Sequence, residues 1–190
     1  MLSALVRHCF ALGATVAALS GVQACSGRPA GPANVLIVTL DTLRADHVGA
    51  YGYSPARTPV LDGLAARGAR FANATTTTPL TLAAHTSLFT GTFPAYHGVR
   101  DNTGFHVDDH LTTMAEVFAA SGYRTGGFVG AFVLDGRWGI AQGFTDYADD
   151  FDLSEDVGPG LDSIQRRGDE VVTRALGWLG HVTAEGTDGG

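Results

Sequence analysis

Val35 to Leu40 is a continuous apolar, β-branched run that stops at a carboxylate, Asp41. A half-buried strand alternates apolar and polar residues, so an unbroken run predicts a strand covered on both faces, as in a parallel sheet flanked by helices. Helical segments do follow. Thr58-Pro-Val-Leu-Asp-Gly-Leu-Ala-Ala-Arg67 offers a Thr cap, Pro at the first helical position and apolar residues at helical spacing, closed by Gly68. Ala69 to Ala74 reads as a second strand and Leu82 to Phe89 as a short helix ending at Gly91. Thr112 to Ser121 predicts a helix stopped by Gly122, and Tyr123 to Val133 contains a strand. Asp146 to Asp156 is an acidic, Gly-flanked loop, and Ser163 to Val182 has helical periodicity through Ile164, Val171, Val172, Leu176 and Leu179. Strands alternating with helices give the fold class as α/β, layered, with a mostly parallel central sheet.

The N-terminus bears on compartment. After Arg7 and His8, Cys9 to Leu19 is apolar but shorter than the roughly 20 residues that span a bilayer, which is the anatomy of a secretory signal over residues 1–24. Val22-Gln-Ala-Cys25 resembles a bacterial lipoprotein cleavage box that would make Cys25 the lipidated first residue; ordinary cleavage after Ala24 is the other reading, because Gln23 is unusual there. The expectation is therefore an exported, periplasmic or membrane-anchored protein. Residues 25–33 form a Gly/Pro linker and residues 34–190 a single domain. Cys9 leaves with the signal, so no disulfide framework exists and stability comes from packing.

Charge narrows the partners. The chain carries 19 acidic against 12 basic residues, a formal charge of −7, and every basic residue is arginine. With no lysine, mechanisms that need one are excluded within these residues. An acidic chain without a basic run makes a poor nucleic-acid binder.

In parallel sheets ligands gather beyond the carboxyl ends of strands, which is where Asp41 falls. Thr81 stands just before the helical run 82–89. Each has an ordinary structural role open to it: Asp41 as a turn or cap residue, Thr81 as the N-cap of its helix. Brought together, the two would form half of a metal site with a nucleophile in it. A divalent cation promotes loss of the hydroxyl proton, and a helix N-terminus favours an incoming anion.

Asn34 to Asp46, Thr58 to Arg70 and Thr81 to Val99 resemble the N-terminal half of the sulfatase family, within the alkaline-phosphatase superfamily. Ser87-Leu-Phe-Thr-Gly91, followed by Pro94 and His97-Gly-Val, is specific to that resemblance, which extends through Gly122-Tyr-Arg-Thr. Phe128 to Asp135 with Gly139 to Phe144 is similar to a bacterial sulfatase-like branch. The resemblance implies an alkaline-phosphatase-like layered fold, a divalent metal (Zn, Mg, Mn or Ca) and an anionic ester substrate.

The departures sharpen the chemistry. Sulfatases use a cysteine or serine, converted to formylglycine, within Cys-x-Pro-x-Arg, whereas this chain has Thr81-Leu-Ala-Ala-His85. Threonine does not become formylglycine by that route. His85 replaces the arginine that holds the aldehyde, Thr42 replaces the second of two paired aspartates, and a lysine that contacts sulfate falls near Ala131. A threonine nucleophile is instead what nucleotide phosphodiesterases and phosphoethanolamine transferases of the superfamily use. Asn102 lies at a spacing that resembles the asparagine contacting a phosphoryl oxygen in related diesterases, with a plain turn in Arg100 to Gly104 as its other reading. His85 is expected to contact substrate or metal, or to cap its helix, and His97 to pack beneath the loop. The resulting expectation is a metal-dependent hydrolase or transferase of phosphate or sulfate esters. Asp41 and Thr81 share the metal, Thr81 attacks, and His85 and Asn102 hold substrate oxygens. No Asp-His-Gly motif follows Asn102, so the chain is expected to be the N-terminal part of a longer enzyme and inactive alone. The alternative is a catalytically inert exported lipoprotein that serves as a binding module.

Overall fold

The computed structural model describes residues 33–153 and 164–187, the last three by backbone only. Residues 1–24, Cys25 and the linker up to Pro32 lie outside the described residues. The chain divides into two compact units, residues 1–40 and 41–190. In the first, Val35 to Leu40 is not a strand: it belongs to no ladder among the described residues, and Val35, Leu36, Val38 and Leu40 are more than half exposed. Apolar composition alone does not make a strand, because its backbone N–H and C=O groups need a neighbouring strand to pair with.

The second unit opens with two short 3₁₀ turns, Ala45–His47 and Gly49–Tyr51. Helix α1 is Pro59–Arg67, with Pro at its first turn, Asp62 near its start and Arg67 in its last turn, the charge order that suits the helix dipole. Thr58 precedes it, yet its hydroxyl does not cap it. Thr58 Oγ1 accepts from Gly49 N (3.0 Å) and donates to Asp62 Oδ1 (3.1 Å), tying the turn to the helix. Residues 69–74 form no strand, for want of a ladder partner, and are held instead by Tyr51, whose hydroxyl donates to Phe71 O at 2.9 Å.

Helix α2, Thr81–Thr90, ends at Gly91, whose φ of 66° is the left-handed conformation that costs glycine nothing. It buries Leu82, Ala83, His85 and Thr86; the Thr86 hydroxyl is satisfied by donating to Leu82 O at 2.8 Å. A four-residue α3, Pro94–His97, follows, then α4, Met114–Ala120. The N-terminus of α4 is a reciprocal capping box. Glu116 N donates to Thr113 Oγ1 at 3.2 Å, and Thr113 N donates to Glu116 Oε2 at 2.7 Å.

Strands β1, Gly126–Phe128, and β2, Asp146–Ala148, pair in parallel with Gly127 opposite Tyr147. Thus the first three residues of the predicted acidic loop are a strand. The pairing depends on Gly127, since a Cβ there would meet Tyr147 Cδ2 at 2.5 Å. Helix α5, Gly168–Thr187, starts later than the periodicity from Ser163 suggests; Ser163 itself lies outside the described residues. Ile164 is buried outside any helix, Gln165 bridges to Ala131, and the Arg166 guanidinium donates to Val129 O and Ala148 O at the ends of both strands. Those commitments hold the backbone out of the helix until Gly168. Trp178 then lays α5 against the sheet, its ring 5.8 Å from Phe128 and its Nε1 donating to Asp146 Oδ2 at 2.8 Å.

Leu82, Ala83, Val99, Val107, Leu111, Val133, Leu134 and Ile140 make one buried cluster, with Phe89, Trp138 and Tyr147 packed against it. Each fully buried aliphatic side chain contributes about 1.5–3 kcal/mol. Leu82, the residue after Thr81, is fully buried, so core packing fixes where the helix start sits.

Candidate active site

Thr81 is the first residue of α2, not its cap; the N-cap is Leu80, and Ala84 N donates the first helical bond to Leu80 O at 2.8 Å. The Thr81 hydroxyl therefore has no duty to its own helix. It donates instead to Asp41 Oδ2, forty residues earlier, at 2.9 Å. The other carboxylate oxygen, Oδ1, accepts from Thr42 N at 3.1 Å, and Thr42 Oγ1 donates to Asp41 O at 2.8 Å. Carboxylate and hydroxyl, proposed from sequence as partners, are in direct contact.

Asn102 closes the same helix end from another side. Its Oδ1 accepts from Leu82 N at 3.0 Å, satisfying one of the amides that a helix start leaves unpaired. This is a capping role carried by a residue twenty positions away. With the carbonyl oxygen so engaged, the amide N–H groups are what Asn102 has left to donate.

His85 lies one turn along α2 and is buried. Its Nδ1 stands 2.8 Å from Thr81 O, and since a carbonyl only accepts, Nδ1 carries the proton. The imidazole thus braces the first turn through the Thr81 backbone. His97 is likewise buried, as expected of a residue packed beneath the loop. Val99 N donates to His97 Nδ1 at 3.2 Å, which leaves Nε2 as the N–H that donates to Ser87 Oγ at 2.9 Å. Ser87 and His97 look like a nucleophile and its base, but this tautomer has the proton on the wrong atom for the histidine to act as one. Burial also pushes the His97 imidazole below its ordinary value.

Asp41 and Thr81 supply two hard oxygen donors at one point, which fits one edge of a divalent-cation site. Protein cation sites ordinarily take three or more donors, and among the described residues no group of three or more His, Cys, Asp or Glu is placed to hold a metal. Ala131 begins the 3₁₀ turn Phe132–Leu134 as its N-cap. No helix among the described residues is long and apolar enough to cross a membrane.

A parallel strand pair with helix α5 packed on it makes this an α/β protein, and its likeness to solved sulfatase structures places it in the alkaline-phosphatase-like class. Residues 33–179 match the sulfatase family, and the chain belongs to it. It is 34% identical over 136 residues to arylsulfatase A of Bos taurus, an alignment covering 68% of this chain and 24% of that protein. It is 35% identical over 104 residues to the ulvan-active sulfatase of Formosa agariphila, covering 55% of this chain and 20% of that protein. The structure of a 2-O GAG sulfatase superposes with a TM-score of 0.51 at 26% identity, covering 63% of this chain and 26% of the other. The chain thus spans about a quarter or less of the length of these relatives.

Proposed function

We propose that Thr81 is the nucleophile of a metal-dependent hydrolase or transferase of phosphate or sulfate esters. The observation that carries this is the hydrogen bond from Thr81 Oγ1 to Asp41 Oδ2 at 2.9 Å. Thr81 stands at the first helical position and not at the N-cap, and its hydroxyl goes to Asp41 instead of to its own helix. Family membership supports ester hydrolysis and favours it over a catalytically inert binding module. Relatives named arylsulfatase A and ulvan-active sulfatase make sulfate esters one candidate class. Threonine in place of the formylglycine precursor supports the other: direct attack through Oγ, as in the phosphodiesterase branch that the residues resemble.

In this reading the Thr81 hydroxyl gives up its proton to solvent as Oγ forms a bond to phosphorus or sulfur, while the bond to the leaving oxygen breaks and that oxygen takes up a proton from solvent. Water in a hydrolase, or an acceptor hydroxyl in a transferase, then releases the group from Thr81. Asp41 orients the hydroxyl, Asn102 donates its amide N–H to a non-bridging oxygen, and any contact from His85 runs through Nε2, because Nδ1 serves Thr81 O. Asp41 and Thr81 would hold part of a divalent-cation site, with Zn, Mg, Mn and Ca as candidates. Such an ion, when bound, supplies positive charge that favours the ionised hydroxyl and offsets charge on the ester oxygens. Export with a lipid on Cys25 belongs to the same proposal and is checked by membrane fractionation of a Cys25→Ala protein.

The test compares the full gene product with its Thr81→Ala form against phosphodiesters and sulfate esters, with each candidate metal supplied. Turnover should fall at least about a thousandfold, and peptide mass spectrometry of the unaltered protein should find a phosphoryl or sulfuryl group on Thr81. Full activity in the Thr81→Ala protein would overturn the assignment.

A further inference from the structure

Thr42 is the one non-glycine residue with positive φ among the described residues, at 55°. Left-handed backbone is an outlier for a β-branched side chain, and such conformations persist where the surroundings hold them for a purpose. What it accomplishes here is local and specific. It turns Thr42 N onto Asp41 Oδ1 (3.1 Å) and lets Thr42 Oγ1 donate to Asp41 O (2.8 Å). Asp41 is exposed, so nothing in a packed core restrains its carboxylate. Its orientation depends on two hydrogen bonds, one to each oxygen: Thr42 N on Oδ1 and Thr81 Oγ1 on Oδ2.

We infer that Thr42 is a positioning residue, whose left-handed backbone, held by its own hydroxyl, aims the Asp41 carboxylate at Thr81. The inference rests on the proposed role of Thr81 as nucleophile. It separates two properties of the side chain. The hydroxyl holds the conformation; the β-branch opposes it. Thr42→Val keeps the shape and removes the hydroxyl, so the backbone leaves the left-handed region and Asp41 loses its Oδ1 partner. Thr42→Asn tolerates the left-handed region and keeps the backbone N–H in place.

Both variants are compared with the unaltered full gene product by turnover, thermal melting and the NMR resonance of the Asp41 carboxyl carbon. Thr42→Val should lower kcat about ten- to a hundredfold, the size of effect that a misplaced catalytic group produces. KM should stay within about twofold, since that substitution removes no substrate-binding group. The Asp41 resonance should shift in Thr42→Val and remain in place in Thr42→Asn, which should keep kcat. An unmoved resonance in Thr42→Val, or kcat falling in step with melting temperature in both variants, would overturn the inference. Absence of Thr81-dependent turnover in the unaltered protein would instead sink the nucleophile assignment, leaving the Asp41 resonance to judge Thr42 alone.

Discussion

At the scale of single residues, the site is made by side chains that serve neighbours distant in sequence. Asn102 shows this best, because it caps α2 through Oδ1 while offering its amide N–H groups at the helix start. The two roles separate by substitution. Asn102→Asp keeps an oxygen for Leu82 N and adds a negative charge where the helix dipole favours one, so melting temperature should hold or rise. The same change removes the N–H donors, so turnover should drop about a hundredfold or more. Asn102→Ala should lose turnover and about 0.5–2 kcal/mol of stability together. Chemical denaturation alongside kinetics reads both effects, and full turnover in Asn102→Asp would confine Asn102 to capping. Asp41 and Thr81 were legible as candidates because a carboxylate after an apolar run and a hydroxyl before a helical run stand out in the sequence, and Asn102 because its spacing from Thr81 resembles that of the family. The left-handed Thr42 was not, since φ depends on the turn around it and threonine is a poor signal for that conformation.

At the scale of elements, helices were read more accurately than strands. Pro59–Arg67, Thr81–Thr90 and Met114–Ala120 all lie within a few residues of their predicted bounds, because caps, Pro and Gly act within one turn of the chain. Strand pairing spans twenty residues or more, so Asp146–Ala148 was hidden in an acidic loop. The capping box of α4 offers a direct measure of one such local signal. Thr113 is buried, caps Glu116 N and donates its hydroxyl to Gln142 O at 2.9 Å. Thr113→Ala should cost about 1–3 kcal/mol in urea unfolding, since it leaves a partly buried carbonyl and a helix amide without their partner. Thr113→Ser, which keeps the hydroxyl, should recover most of it. A cost near zero in the alanine form would mean that water replaces both bonds.

For the molecule as a whole, stability should depend on pH through His97. Burial lowers its folded value, so around pH 6 the unfolded chain binds the proton more readily than the folded one. Stability is therefore fully present above the ordinary imidazole value of about 6.5 and declines as pH falls from there to the folded value. Protonation would also end the bond from Val99 N to His97 Nδ1. Asp46, fully exposed and held at about 2 by its hydrogen bond from Arg44, titrates in a separate acid window below the ordinary carboxylate range. Melting temperature followed from pH 8 to pH 5, values chosen to bracket the imidazole range, should slope in the unaltered protein and flatten in His97→Gln, which keeps a donor for Ser87. An equal slope in both would place the proton elsewhere. The sequence by itself determined the α/β class, the helices and the residue types available for ester chemistry, because these follow from periodicity, capping and composition within short spans. Only the tertiary structure decided that the Thr81 hydroxyl leaves its own helix for Asp41, that Asn102 rather than Thr81 supplies an oxygen to the α2 start, and that His97 holds its proton on Nε2. Each of those outcomes is a choice among hydrogen-bond partners, and partners far apart in the chain are set only when packing brings them within about 3 Å of one another.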